Sequence, residues 1–212
     1  MGCGRPGGAL TEPLAVAVRA VRLSVAAPDD PVCVLGAGPI GVLAVAVLRA
    51  RGFRRIAVIE PIPGRGSAVL RLGVAAVTPA EALSGVSPLL DGEPPTLVID
   101  TTGHPAGAPL AIELLRPAGR LTIVGLPDDP APIDLATLAF KELTVRGSLC
   151  YDESDFAGAL GHIAAGRIPC SQIITATASL EDAPAVLTDL GAGATQQVKV
   201  LLCPRPDHVG SR

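Results

Sequence analysis

The chain has 212 residues, 49% of them hydrophobic, so it can bury a full core and fits one domain with appendages better than two complete domains. Its formal charge of -3 and aromatic content of 2% exclude the basic surface and the stacking platform of a nucleic-acid-binding protein. A small-molecule ligand is therefore the expected partner, and nucleic acid is not.

The cysteines are odd in number and lack C-x-x-C spacing, which favours reduced, mostly buried thiols over a disulfide framework or a cysteine-rich zinc site. They are Cys3, Cys33, Cys150, Cys170 and Cys203.

The first residues lack the apolar core of a signal peptide, which predicts a cytoplasmic protein. The apolar stretch 31–48 fits a strand, turn and helix better than a membrane span, because it contains glycines and a proline that read as a turn.

The first predicted element is a helix that begins at Thr11, read as a capping residue before an acid, a proline and apolar residues at helical spacing. From Val32 onward, short β-branched runs alternate with helical patterns. Six continuously or mostly apolar runs predict strands, at residues 32–35, 56–60, 75–78, 97–100, 121–125 and 143–147. Crossover helices are predicted at residues 40–51, 66–72 and 109–116. Right-handed crossovers then give an α/β fold, a doubly wound parallel sheet of the Rossmann type.

The pattern changes after Tyr151. Phe156, Leu160 and Ile163 fall at helical spacing, and residues 179–182 resemble a capping box that starts another helix. Two strand-like runs, 173–178 and 198–203, are not followed by any complete βαβ unit. We expect these runs to be pieces of another structural unit, with unpaired backbone groups that favour association or local disorder.

The motif G-x-G-x-x-G lies directly after the first predicted strand, as Gly36, Gly38 and Gly41, with Pro39 and Ile40 between the last two glycines. Gly36 permits a tight turn, Gly38 lets the backbone approach a pyrophosphate, and Gly41 lets the helix pack on the strand. The helix N-terminus offers unpaired N–H groups and a positive dipole end to phosphates. The motif in this context predicts a dinucleotide-binding site.

Glu60 closes the next predicted strand, about 20 residues beyond the glycine motif, where dinucleotide-binding proteins carry an acid. Its carboxylate would accept hydrogen bonds from the adenosine ribose hydroxyls and repel a 2′-phosphate. Pro61 follows where an NADP enzyme would prefer a basic residue. NAD is therefore the expected cofactor, although Glu60 read alone could be an ordinary surface acid at a strand end.

Further matches run through most of the chain in order, and with them the chain resembles the C-terminal, NAD-binding part of the zinc-dependent medium-chain dehydrogenases. The similarity is to the sorbitol, threonine and butanediol dehydrogenase group. The matching segments include residues 12–17, 36–41, 60–65, 72–73, 100–104, 115–120, 124–125, 141–142, 147–148 and 173–175.

The resemblance implies further cofactor contacts in three places. These are Arg65 beside the adenosine; Thr101, Thr102, Gly103, Val124, Gly125 and Leu126 on the nicotinamide side; and Gly147 and Ser148 near the carboxamide. Plain alternatives remain, because Gly103 and Gly125 could simply end strands and Thr101 could cap the next helix. The resemblance also implies homodimers formed along the edge strand near residues 143–149.

Three segments are expected from the resemblance: a catalytic-domain remnant at 1–26, the Rossmann domain at 27–165, and a second remnant at 166–212. The family's zinc-binding Cys and His-Glu pair lie mainly upstream of the matching part, and His104, His162 and His208 have no Cys or His partner at ligand spacing. Glu12 is interpreted as a first-turn acid complementing a helix dipole. We therefore expect no catalytic or metal-binding residue here.

Three functional interpretations remain open at the sequence level. The first is an NAD-dependent oxidoreductase of this family, truncated or acting with a separately encoded catalytic domain, whose parent transfers hydride between NAD and a secondary alcohol or polyol. The second is a non-catalytic module that binds or senses NAD(H). The third is a decayed remnant without a role.

Overall fold

A six-stranded parallel sheet forms the centre of the computed structural model, which describes residues 6–193 and 195–204. Cys3 and His208 lie outside the described residues. The strands of the sheet are β1 (Val32–Leu35), β2 (Ile56–Ile59), β3 (Ala75–Val77), β4 (Leu97–Asp100), β5 (Arg120–Ile123) and β6 (Thr144–Gly147). Their order in the sheet is β3-β2-β1-β4-β5-β6. The predicted doubly wound Rossmann fold is confirmed, and each predicted strand is found within two residues of its bounds.

Helices cover both faces of this sheet. They are α1 (Thr11–Leu23), α2 (Pro39–Ala50), α3 (Pro63–Arg71), α4 (Ala82–Leu89), α5 (Gly107–Leu114), α6 (Leu135–Phe140), α7 (Glu153–Ala164), α8 (Cys170–Ile173) and α9 (Ala183–Gly191). Alternate residues of β1 enter two separate cores: Val32 and Val34 pack with α1 and α2, while Cys33 and Leu35 pack with α4 and α5. Burial on both faces explains why the strands are continuously apolar.

The prediction that Thr11 caps the first helix is wrong. A 3-10 turn, Pro6–Leu10, runs directly into α1, so that Leu10 is the N-cap and Thr11 is already helical and buried. The sequence pattern placed the start of α1 at the correct residue. In the structure, however, the helix begins there for a different physical reason. Since the turn continues into the helix, no side chain is required as a cap.

The C-terminal segment forms a unit that the sequence interpretation missed. Strands β7 (Ile174–Ser179) and β8 (Lys199–Cys203) pair in parallel, with α9 as the crossover between them. This is a small βαβ unit, so the expectation that both runs would be left without a pairing partner is wrong. Ile168, Ile173 and Val198 are buried in the same core as α1 and α2, which anchors the unit to the main sheet.

None of the helices in the described part of the chain is both long enough and apolar enough to cross a membrane. The cytoplasmic location stays a prediction.

Candidate functional site

A cleft of about 420 Å³ opens beyond the carboxyl ends of the paired strands β1 and β4, where the chain leaves the two strands toward opposite sides of the sheet. From β1 the chain continues to β2 on one side, and from β4 it continues to β5 on the other, so the loops leave a crevice beyond the strand ends. Ligands of doubly wound sheets bind in this crevice. The residues that line it come mainly from the loops after β1, β2 and β4: Leu35, Gly36, Gly38, Ile59, Glu60, Pro61, Ile62, Arg65, Pro79, Thr101, Thr102, His104, Ala106, Gly107 and Leu110.

The three glycines of the 36–41 loop face different surroundings. Gly36 has a φ of 91°, and a Cβ atom on Gly41 would lie 2.0 Å from the carbonyl oxygen of Gly36. A Cβ atom on Gly38 would meet no heavy atom within 4 Å. The fold itself therefore requires Gly36 and Gly41, whereas Gly38 presents bare backbone to the cleft at the N-terminus of α2. A phosphate could approach that backbone and the free N–H groups of the first turn.

Glu60 is buried just after β2, and its carboxylate accepts hydrogen bonds from the backbone of the loop after β1 and of the loop after β2. Its Oε2 accepts a hydrogen bond from the N–H of Ala37 at 2.6 Å, and its Oε1 accepts one from the N–H of Ile62 at 2.8 Å. It is therefore not an ordinary surface acid. Each oxygen keeps a further acceptor position that a ribose hydroxyl could use.

Arg65 lies in the first half of α3 and also lines the cleft. Its Nε is buried and has no hydrogen-bond partner among the described residues. A buried guanidinium donor without an acceptor is costly unless a ligand or water completes it. Arg65 thus offers a cationic donor to a ligand on the Glu60 side of the cleft.

The hydroxyl groups of the two threonines after β4 both donate hydrogen bonds to other groups of the protein. Thr101 donates to the carbonyl oxygen of Leu35 at 2.8 Å, and Thr102 donates to Oδ1 of Asp100 at 2.7 Å. Both residues line the cleft, so they can offer a ligand only acceptor lone pairs and methyl groups. The alternative that Thr101 caps the next helix is wrong, because α5 begins at Gly107 with Ala106 as its N-cap.

His104, Ala106 and Gly107 line the cleft and were missed by the sequence interpretation. His104 is exposed, as expected, but its Nδ1 accepts a hydrogen bond from the N–H of Ala106 at 3.1 Å. This bond assigns the imidazole proton of the neutral side chain to Nε2. The position of His104 in the sequence could have indicated this, because His104 lies in the loop after β4, one of the loops that line the cleft.

Thr101 and Thr102 line this cleft, but the other residues predicted on the nicotinamide side and near the carboxamide do not, and their contact with a cofactor stays a prediction. They lie around the carboxyl ends of β4, β5 and β6: Gly103, Val124, Gly125, Leu126, Gly147 and Ser148. A Cβ on Gly125 would lie 2.1 Å from the backbone nitrogen of Gly103, so both glycines are needed for close loop packing. Ser148 is buried, and its Oγ has no partner among the described residues. Gly147 faces open space.

Within residues 6–193 and 195–204, no group of three or more His, Cys, Asp or Glu side chains is placed to hold a metal ion. Glu12 lies in the first turn of α1, as expected.

Burial raises the pKa of the Cys33 thiol to about 12, so this cysteine is inert at neutral pH. Cys150 is exposed.

Comparison with known proteins gives consistent matches. D-xylulose reductase A of Aspergillus oryzae is 31% identical over 192 residues, which are 87% of this chain and 54% of that protein. The structure of 2R,3R-butanediol dehydrogenase from Bacillus subtilis superimposes with a TM-score of 0.82 at 30% identity, covering 93% of this chain and 57% of that one. An E. coli alcohol dehydrogenase solved with NADH gives a TM-score of 0.81 at 26% identity, covering 91% and 58%.

The chain thus spans about half the length of the curated relatives it matches. The family described as Zinc-binding dehydrogenase matches residues 39–165, which is more than half of the chain and includes α2 and strands β2 to β6. The chain therefore belongs to the zinc-binding dehydrogenase family.

Proposed function

We propose that this chain binds NAD(H) in the cleft at the β1/β4 switch point and serves as the cofactor-holding half of a polyol or secondary-alcohol dehydrogenase. The observation that carries the proposal is the geometry of the glycine loop. Gly36 and Gly41 are closed in by the fold, while Gly38 presents open backbone to a cleft that Glu60 also lines, with its carboxylate hydrogen-bonded to the N–H of Ala37. This combination suits a dinucleotide pyrophosphate and its ribose.

The residues present fit this cofactor by observations independent of one another. The backbone around Gly38 and the first turn of α2 would hold the pyrophosphate, and Glu60 would accept hydrogen bonds from the adenosine ribose. Arg65 has a buried donor without a partner among the described residues, and so would gain one from a bound adenosine moiety. Ser148 would gain one on the nicotinamide side. When bound, NAD⁺ supplies the hydride acceptor for oxidation of an alcohol.

Fluorescence titration of the full chain with NADH and NADPH tests this proposal. We expect saturable NADH binding with an enhanced nicotinamide signal, and weaker binding of NADPH, because the Glu60 carboxylate repels a 2′-phosphate. Absence of saturable NADH binding would contradict the proposed function.

Alcohol activation is proposed to come from a catalytic domain, on the same polypeptide or on a separate one. In this proposal residues 27–165 are the nucleotide-binding domain, and residues 1–26 and 166–212 contribute to the catalytic domain. The family match, which ends at residue 165, supports the second boundary. We expect the 212-residue chain alone to hold no stoichiometric zinc and not to turn over sorbitol or butanediol; metal analysis or a measured rate would contradict this.

We also propose a homodimer formed along β6. This strand is at the edge of the sheet, its residues are mostly exposed, and Leu126, Phe140 and Leu149 expose apolar side chains near its ends. A second copy could pair with the edge and cover these side chains. Sedimentation should show a dimer that Leu149→Arg weakens; a monomer at all concentrations would contradict the proposal.

A further inference from the structure

A second cavity, of about 370 Å³, is lined by residues from the ends of α2 and α3, from the segment between α7 and α8, and from α8 itself. Crossover helices run antiparallel to the strands of a doubly wound sheet, so this cavity lies at the edge of the sheet opposite to the candidate cofactor cleft. Three arginines line it: Arg49 in the last turn of α2, Arg71 in the last turn of α3, and Arg167 after α7. We call this cavity the arginine pocket.

Within residues 6–193 and 195–204, no acidic side chain forms an ion pair with an arginine of the pocket. The ion pairs there involve Arg19, Arg22, Arg55 and Arg120, and none involves an arginine of the pocket. No acidic residue is among those that line the pocket. The pocket therefore collects positive charge in a chain whose net charge is negative.

Most of the guanidinium donors remain available to a ligand. Arg71 uses one Nη2 bond, to the carbonyl oxygen of Gln172 at 3.2 Å, and Arg167 uses its Nε, which donates to Nδ1 of His162 at 3.0 Å. Each arginine has five donors. Burial, together with Arg167 and Arg51, lowers the pKa of His162, so His162 stays neutral and can accept the bond that orients Arg167. Two of the three arginines are thus held in place with free donors.

Helix dipoles alone do not account for this arrangement. Arginines near helix C-termini complement the partial negative charge there, which is about half a unit for each helix. Three helices end at the pocket, so their ends contribute roughly −1.5 against three full positive charges. A net positive charge is left over, which an anion such as a phosphate group, of about −1.5 to −2 near neutral pH, would neutralise. Guanidinium forks also fit the planar, multidentate hydrogen bonding of phosphate oxygens.

We propose that the arginine pocket binds a phosphate group, either free phosphate or the phosphate of a small metabolite. Arg49 and Arg71 belong to helices of the main sheet, whereas Arg167 belongs to the segment that leads into α8 and β7. A bound phosphate would therefore bridge the two and hold residues 166–172 against the ends of α2 and α3. This is a ligand site separate from the cofactor cleft, and it does not depend on the proposed function.

Calorimetric titration of the full chain with inorganic phosphate, at constant ionic strength and with chloride as the reference anion, tests the proposal. We expect saturable phosphate binding that Arg49→Gln and Arg71→Gln each weaken by about threefold to tenfold, the effect of one charge-assisted contact at an exposed site. Arg54→Gln is the matched control, because Arg54 is exposed and lies outside the pocket; it should leave the affinity unchanged. Hydrogen exchange at residues 166–172 should slow when phosphate is bound.

The Arg49 side chain makes no hydrogen bond or ion pair within the described residues, so its substitution should not disturb the fold, and thermal melting verifies this. Glycerol 3-phosphate distinguishes the two sources: tighter binding than inorganic phosphate identifies a phosphorylated small molecule, and equal binding identifies the free ion. The proposal is overturned if no saturable phosphate binding occurs, or if Arg54→Gln weakens it as much as Arg49→Gln. Binding that is insensitive to both pocket variants, as expected for phosphate in the glycine loop, would also overturn it.

Discussion

The glycines of the 36–41 loop serve different purposes, although the sequence motif treats them alike. Two of them are sterically required, since side chains at Gly36 or Gly41 would meet Thr101 or the loop backbone. A Cβ atom on Gly38 would meet no heavy atom of the protein within 4 Å, so we expect its small size to matter for a ligand in the cleft and not for the fold. Cofactor binding and folding can therefore be separated by substitution at neighbouring positions of one loop.

We expect Gly38→Val to abolish NADH binding while leaving the melting temperature nearly unchanged, because the branched side chain would fill the path of the pyrophosphate and its Cβ would meet no heavy atom of the protein within 4 Å. Gly41→Val is the matched comparison. It should lower the free energy of unfolding by at least the 1–3 kcal/mol or so typical of overpacking, because its Cβ would be forced against the Gly36 carbonyl. Equal melting temperatures for both variants, or unchanged NADH affinity in Gly38→Val, would refute this assignment.

The carboxylate of Glu60 is expected to set the cofactor preference. Glu60→Ala should weaken NADH binding by about tenfold to a hundredfold and narrow the preference over NADPH, because Arg65 remains to attract a 2′-phosphate. Since Glu60 also holds the N–H groups of Ala37 and Ile62, some of the loss will be structural. The ratio of the two affinities is thus the decisive readout, and a ratio identical to that of the unmodified chain would contradict the prediction.

The glycine loop and Glu60 could be predicted from sequence because their spacing along a strand-turn-helix unit is a local property. The backbone contacts of Glu60 and the presence of His104 in the cleft could not. Each depends on how loops from different strands meet, and that is decided by tertiary packing over distances in sequence that no local pattern encodes.

At the level of elements, α1 is fastened to α7 by ion pairs around a buried carboxylate. Asp155 accepts hydrogen bonds from Nε of Arg22 at 2.7 Å and from Nη1 of Arg19 at 3.2 Å, and Asp152 lies beside it in a capping box. The helical spacing of Phe156 and Leu160 predicted α7, but the face that turns inward carries Asp155 and Ala159, while Leu160 is about half exposed. A buried acid in the first turn of a helix, paired with arginines of another helix, is not recognisable from periodicity.

The α1–α7 contact should make stability depend on pH. The hydrogen bond with Arg22, the largest cause, lowers the pKa of Asp155 below its value in the unfolded chain. The stabilisation is therefore complete above about pH 4 and is lost as the pH falls through the lower, folded pKa. Asp155→Asn should reduce the free energy of unfolding at pH 7 by about 1.5–3 kcal/mol and flatten its acid dependence. Asp189 is exposed and forms no ion pair in the described chain, so Asp189→Asn should change neither the free energy of unfolding nor its acid dependence. Equal effects of the two substitutions would contradict a stabilising role of the Asp155 ion pairs.

The βαβ unit formed by β7, α9 and β8 should open more readily than the main sheet. It has only two strands, most of its residues are partly exposed, and two-stranded sheets are marginal. We expect its amides to exchange faster than those of β1 and β4, while α8 is protected by the buried Ile173. Uniform protection from β1 through β8 would argue against an independent unit.

Removal of residues 167–212 should lower stability and spare the cofactor cleft, which lies entirely in the retained part. The truncation takes Ile168, Ile173 and Val198 out of the core, each worth up to about 1.5–3 kcal/mol. NADH affinity should persist at temperatures where the truncated chain is folded. Its loss in a chain shown to be folded would place part of the site in the removed segment.

The strands of the main sheet could be predicted because burial on both faces imposes continuous apolar runs. Helix α4 was missed because it is short and has Pro88 in its last turn, and α6 because it has only six residues. The βαβ unit was missed for another reason. The sequence contains both strands and the helix start, but nothing local shows that the two strands pair with each other.

The whole molecule owes its candidate site to sheet topology. Right-handed crossovers on both sides of β1 and β4 produce the strand order and, with it, the crevice beyond the strand ends. The alternation of strands and helices was sufficient to predict this. The residues proposed for the nicotinamide side, around the ends of β5 and β6, could not be predicted in the same way, because no local motif marks them and only the resemblance assigns them.

Binding of NAD(H) in the β1/β4 cleft can be located by the hydrogen-exchange footprint of saturating NADH on the full chain. We expect slower exchange in residues 36–41, 60–66 and 101–107, and no change around α9 or at the arginine pocket. A footprint confined to other surfaces, or none despite measured binding, would contradict this expectation.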